Sequence, residues 1–201
     1  MKTSLEDWLR NGWLPLDSLQ RMAYKLGMTK REFARRVWNS KKDVLGPFLD
    51  SLNKAKVRFC VIGGLAVNAY TEPVVSLDLD IVVSARQLSE FTDLLPRAAK
   101  TQRFAHSLNI GLPGSDVRIQ VQTDERYQAF LGRARKKSVL GYEMPVAHLH
   151  DVLQGKIWAA LDESRRPSKR QKDLADILRL IEFKKDLAVL LPPALKRKLT
   201  H

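Results

Sequence analysis

The sequence predicts an α/β (α+β) fold: a mixed sheet core with an N-terminal helical extension and a C-terminal helical subdomain. Three observations carry this. The period of the apolar residues is helical up to about residue 55, and from Lys56 it becomes extended, with VRFCVI running without interruption into Gly63-Gly64. Two further segments, LDLDIVV and DVRIQVQ, alternate apolar and polar residues as half-buried strands do, with helical patterns between and after them. From Leu149 onward the chain reads as helix almost to its end.

Taken in order, residues 1–45 form an extension of short helices. Asp17 is placed to cap a segment ending at Gly27, and Thr29 with Glu32 forms a capping box ahead of Phe33–Trp38. Two helices joined by Gly-Met-Thr have helix-turn-helix spacing, although a helical cap packed on the core is the plainer reading. A further helix spans about Val44–Ala55. VRFCVI is a strand buried on both faces, LAVNAY a short helix, and TEPVVS a loop. Leu77–Val83 is the second strand, with Leu77, Leu79 and Ile81 on one face and Asp78 and Asp80 on the other. Ser84 can cap a helix over about Ala85–Leu95, and Asp116–Gln122 is the third strand. A short helix over Arg126–Arg133 and a hairpin through Gly141 follow. Helices over about Leu149–Asp162 and Lys169–Phe183, and a short one after Pro192-Pro193, complete the chain. The expected division is an extension (1–45), a core (46–146) and a helical subdomain (147–201).

The composition narrows the function. The chain has 201 residues, 35 Lys+Arg and 22 Asp+Glu, a net charge of +13, and 44% hydrophobic residues, enough for a normal core. The surplus positive charge points to a polyanionic partner. It is unevenly spread: +5 over residues 1–45, 0 over 46–100, +3 over 101–150 and +5 over 151–201. One cysteine, Cys60, excludes an intramolecular disulfide, and its place in a buried strand marks it as inert. The N-terminus MKTSLEDWLR lacks the apolar run of a secretory peptide, and no apolar stretch is long enough to span a bilayer. A soluble, cytoplasmic protein without a membrane partner is expected. There is no GxxxxGK[ST] phosphate loop. His148 and His150 have no metal-ligand spacing, and the tryptophans are dispersed as packing residues are.

Asp78 and Asp80 stand out. Two residues apart on a strand, they project from one face with Cα atoms about 6.6 Å apart, where like charges repel. An exposed face with two solvated acids is the plain explanation. A divalent cation held by the pair is the sharper one, because magnesium takes one or two carboxylates together with substrate phosphate oxygens. The glycine pair strengthens the second reading. A strand running through Gly63 and Gly64 straight into a helix presents free backbone N–H groups to a phosphate, and Ser76 adds a hydroxyl two residues before Asp78.

Lys156 rises from an apolar helical stripe of Val152, Leu153, Ala159 and Ala160, either to snorkel into water or to line a cleft as a phosphate-binding lysine. Arg165, Arg166, Lys169, Arg170 and Lys172 form a basic run that suits a triphosphate or RNA, or is simply a solvated helix start. Asp173 and Asp176 are helical neighbours that can pair with Arg170 and Lys172 on the surface.

VIGGLAVNAYTEPVVSLDLDIVV resembles the signature of the nucleotidyltransferase (DNA polymerase β-like) superfamily, a glycine pair followed by a DxD on the second strand. HLHDVLQGKIWAALDESRRPSKRQKDLADILRLIE is similar to the C-terminal element of its small prokaryotic AbiEii-type toxin-like members. The resemblance covers about residues 50–185. It implies a nucleotidyltransferase-like core and magnesium or manganese held by Asp78 and Asp80, with an NTP as substrate. Phosphates would lie against Gly63, Gly64 and Ser76, and Lys156 would neutralise the leaving pyrophosphate. It also implies an acceptor such as RNA or tRNA and, for toxin-like members, a cognate antitoxin.

One departure is evident. The superfamily's third carboxylate matches Gln120, which offers an oxygen but no charge. Catalysis with one strongly held metal, a replacement acid, and loss of activity are all compatible with it. Asp116 and Asp124 are too far along the strand, about 13 Å if extended, whereas Asp173 or Asp176 is a replacement by analogy. The rival reading is an inactive nucleotidyltransferase-fold protein that acts as a nucleic-acid-binding or regulatory module.

Overall fold

The computed structural model describes residues 27–74, 76 and 78–199. The segment capped by Asp17, which is the first helix of the helix-turn-helix candidate, and Leu77 of the second strand lie outside them.

The N-terminal helix α1 (Lys30–Val37) starts at the expected capping box, with both Thr29 and Glu32 in place. Its C-cap, Trp38, is buried and belongs to the same hydrophobic core as the sheet. The Trp38 indole N–H donates to the Ser76 carbonyl (3.2 Å), and the Trp38 carbonyl accepts from the Asp116 N–H (2.8 Å). The helix thus ties together the two loops that lead into the strands bearing the site. Helix α2 (Leu45–Lys54) buries Leu45, Phe48, Leu49 and Leu52 on one stripe.

Strand β1 is shorter than VRFCVI suggests, only Phe59–Val61. The Val57 N–H returns to the Leu52 carbonyl and the Arg58 N–H is taken by the Gln87 side chain, so neither joins the ladder. Helix α3 (Gly63–Asn68) begins at the glycines themselves. Strand β2 (Asp78–Val83) leads into a 3-10 turn (Ala85–Gln87) and α4 (Leu88–Asp93). This pair replaces the single helix expected there, and Ser84 caps it through its carbonyl (to the Gln87 N–H, 2.9 Å) and not its hydroxyl.

A hairpin of β3 (Lys100–Arg103) and β4 (Ser107–Gly111) then appears that the alternation of residues does not announce, because β3 is exposed along its whole length. Strand β5 (Arg118–Gln122) starts two residues later than expected. Asp124 caps a 3-10 turn (Glu125–Tyr127) ahead of α5 (Phe130–Arg133), dividing the short helix expected there. Strands β6 (Arg135–Val139) and β7 (Tyr142–Val146) form the hairpin through Gly141. Leu140 and Gly141 both have positive φ, 53° and 82°, as a two-residue primed turn requires. Helices α6 (Leu149–Leu161), α7 (Pro167–Phe183) and α8 (Pro193–Leu199) close the chain.

The strands form one mixed sheet in the order β3-β4-β5-β2-β1-β7-β6. At its centre β2 runs antiparallel to β1 and parallel to β5. Leu79, Ile81, Ile119 and Val121 are buried from one face, and the other face carries Asp78 and Asp80 of β2 and Arg118, Gln120 and Gln122 of β5, with buried Val82 at its end. No helix among the described residues is long and apolar enough to cross a membrane.

Candidate active site

The site lies where β2 and β5 meet the N-terminus of α3 and the facing surfaces of α6 and α7. Gly63, Gly64, Ser76, Asp78, Asp80 and Gln120 line one wall of a single cleft. Lys156, Arg165, Lys169, Lys172 and Asp173 line the other. Most of the residues singled out in the sequence therefore converge, although 76 positions separate Ser76 from Val152 on the opposite wall only through the fold. Arg166, Arg170 and Asp176 do not line the cleft.

The glycine–carboxylate geometry is specific. Gly63 has φ +66°, and a Cβ built there would fall 2.0 Å from Asp80 Oδ2, inside contact distance. Only glycine allows the α3 N-terminus to press against this carboxylate. Gly64 has more room, with the Ser76 hydroxyl 3.4 Å from where its Cβ would stand. The Ser76 hydroxyl donates to the Asp78 carbonyl (3.1 Å), so it braces the strand as well as facing the cleft. The first N–H groups of α3 have no partner within the helix.

Asp80 and Gln120 are direct register partners across the parallel ladder, which sets an uncharged amide beside the carboxylate. Burial pushes the Asp80 carboxyl up; the Lys156 charge opposes this and Asp78 adds to it. Asp78 is paired differently. Its Oδ1 lies 2.7 Å from Arg118 of β5, an ion pair without hydrogen-bond alignment. Arg118 carried no signal in the sequence beyond its parity with Gln120, and the parallel register makes it the partner of Asp78.

Lys156 neither snorkels nor stands free. It is buried, 2.9 Å from Asp173 Oδ1 and 2.7 Å from Asp176 Oδ2. Burial alone would lower its pKa, but Asp176 and Asp173 outweigh it and the ammonium is held charged. The expected surface pairing of Asp173 and Asp176 with Arg170 and Lys172 is not what forms. Asp173 is bound instead by Lys156 and Arg165 (2.7 Å), and Asp176 by Lys156 and Arg179 (2.8 Å). The apolar side of α7 turns inward, carrying these acids to Lys156 on the packed α6. Each oxygen of Asp173 and Asp176 has a cation partner, and both acids act on Lys156.

Arg179 extends the cluster to the loop before β2 by donating to Asn68, Thr71 and the Glu72 carbonyl. Asp124 is turned into its own Arg126 and Asp116 toward Asn39, so neither reaches the site. Gln122, Tyr127, Asp151 and Gly155 also line the cleft. Parity with Gln120 marks Gln122; nothing in the sequence marks Tyr127, whose ring packs 5.1 Å from both Phe130 and Trp158. His148 accepts from the His150 N–H and so caps the start of α6.

No family model matches the chain, and no curated protein matches it in sequence. Solved structures match in fold. The crystal structure of ANT(2″)-Ia in complex with adenylyl-2″-tobramycin is similar over 75% of this chain and 94% of that one, with a TM-score of 0.56 and 11% identity. The crystal structure of an antigenic nucleotidyltransferase-like protein from Paracoccidioides brasiliensis is similar over 78% of this chain and 90% of that one, with a TM-score of 0.50 and 18% identity. The mixed seven-stranded sheet with its C-terminal helical region is therefore a nucleotidyltransferase-like fold.

Proposed function

We propose that this chain is a magnesium-dependent nucleotidyltransferase of the AbiEii toxin-like kind, transferring a nucleoside monophosphate from an NTP to an RNA acceptor such as tRNA. The observation that carries the reading is the juxtaposition of Gly63 with Asp80, beside Asp78 and opposite Lys156 in one cleft.

The donor set suits a hard divalent cation. Asp78 and Asp80 offer carboxylate oxygens and Gln120 an amide oxygen, and Asp78 Oδ1 is shared with the Arg118 guanidinium. Asp78 and Asp80 would hold magnesium or manganese, which neutralises charge developing at the transferred phosphoryl group. Gly63 and Gly64 let the phosphates approach the backbone. Arg165, Lys169 and Lys172 set positive charge along the triphosphate. Lys156, anchored by Asp173 and Asp176, presents a fixed ammonium to the departing pyrophosphate. The acceptor hydroxyl oxygen bonds to the α-phosphorus as the bond between that phosphorus and the pyrophosphate oxygen breaks. The hydroxyl proton passes to water, since the Gln120 amide takes none.

The rival, an inactive scaffold that binds nucleic acid, is favoured only by Gln120 beside Asp80. Incubation with each α-labelled NTP and total RNA, beside an Asp78→Asn/Asp80→Asn control, separates the two. Label on RNA that the control loses supports the proposal. RNA binding with no label on any fraction supports the rival, and label on protein or on a small molecule overturns RNA as acceptor.

A further inference from the structure

The register of the sheet continues the site beyond its cleft. Asp80 is opposite Gln120, Gln120 opposite Asn109, and Asn109 opposite Gln102, a row of three amides running outward from the site carboxylate. A second row runs from Asp78 through Arg118 and Gly111 to Lys100. A third runs from Gln122 to Ser107, whose carbonyl accepts from the Phe104 N–H (2.7 Å). Register partners share a face, and the residues between them, Ile119, Val121, Leu108 and Ile110, are buried on the other side.

This face is not a generic solvated surface. Beyond Asp78 and Asp80 its rows contain no acid; Arg118 is paired with Asp78, and Lys100 adds an exposed cation at the outer edge. The Asn109 amide oxygen is shielded from solvent and has no hydrogen-bond partner. Phe104, at the outer end of the third row, is an exposed large aromatic side chain. Amides, cations and an exposed aromatic ring are what a single strand of RNA is read by: base edges and ribose hydroxyls, phosphates, and a stacked base. Three strand spacings, about 14 Å, separate Asp80 from Gln102, which accommodates the terminal nucleotides of a strand.

We propose that the open face of β5, β4 and β3 is the acceptor platform, on which a single-stranded RNA 3′ end lies across the sheet with its terminal hydroxyl directed toward Asp80. The proposal rests on the nucleotidyl-transfer reading above. Phe104 stacks a base, the exposed Gln102 bonds to base edges or ribose hydroxyls, and Lys100 meets a phosphate.

The test is fluorescence anisotropy of the full chain with a labelled single-stranded RNA oligonucleotide over a salt series, with ATP binding measured in parallel by equilibrium dialysis. Phe104→Ala is expected to weaken RNA binding about tenfold, and Lys100→Glu to lower the salt slope by about one, with ATP affinity unchanged in both. Both residues are exposed, so the variants keep the fold, which circular dichroism checks. RNA binding indifferent to both substitutions but lost in Arg165→Glu/Lys169→Glu overturns the platform and moves the strand to the helical wall. ATP binding without RNA binding in the unaltered protein overturns the platform while leaving nucleotidyl transfer standing. Binding of neither overturns the transfer reading itself.

Discussion

Arg118 of β5 lies 2.7 Å from Asp78 of β2, its register partner across the parallel ladder. A guanidinium thus already neutralises one of the two carboxylates that would hold a divalent cation, and the cation must compete with it. The Arg118 side chain is 65% exposed and Asp78 28%, so the pair is a weak one. Arg118→Gln is expected to tighten manganese binding up to about fivefold, read by electron paramagnetic resonance titration. Unchanged or weaker binding would show that the pair does not oppose the metal.

Gly63 and Gly64 are adjacent but differ in what a methyl group would meet. Gly63→Ala puts a Cβ against Asp80 at a positive φ, and the expected outcome is loss of transfer together with destabilisation of about 1–3 kcal/mol. Gly64→Ala meets only the Ser76 hydroxyl at ordinary distance and should unfold within about 1 kcal/mol of the parent in urea. Equal stability of the two variants would contradict the close approach of Gly63 to the carboxylate.

Lys156 sits in a buried cluster with Asp173, Asp176, Arg165 and Arg179. Its removal leaves two acids short of a partner, so Lys156→Met should cost about 3–5 kcal/mol by denaturant unfolding. Adding Asp176→Asn removes one orphaned charge and should recover part of the loss. Additive costs in the double variant would mean that the two side chains are not coupled.

Cys60 is fully buried in β1, and burial, with a smaller contribution from Asp151, pushes its thiol up to about 12. Since the thiolate is the reactive form, a raised pKa leaves almost none of it at pH 8. Iodoacetamide at pH 8 should label Cys60 only in denaturant; rapid labelling of the native protein would refute its burial.

The pattern of the site strand was legible in the residues because a strand has a period of two: Asp78 and Asp80 must share a face, and Gln120 falls on the matching parity of the third strand. Glycines before a helix, the Thr29–Glu32 capping box and a hairpin through Gly141 are local devices that local sequence is enough to recognise, whereas the positive φ of Leu140 in that turn is not. The β3–β4 hairpin was not legible, because an edge strand of exposed Lys, Thr, Gln and Arg buries nothing that would impose an alternation.

The sequence by itself determined which chemical groups the site can contain, since their spacing on single elements follows from helix and strand geometry. Only the tertiary structure decided how they pair. Asp173 and Asp176 look like surface acids beside Arg170 and Lys172, yet packing α7 against α6 buries them, and a buried carboxylate takes the cations that can reach it there, Lys156, Arg165 and Arg179. Likewise the parallel pairing of β2 with β5, which no local pattern encodes, sets Arg118 on Asp78 and Gln120 beside Asp80, and so fixes the charge of the site.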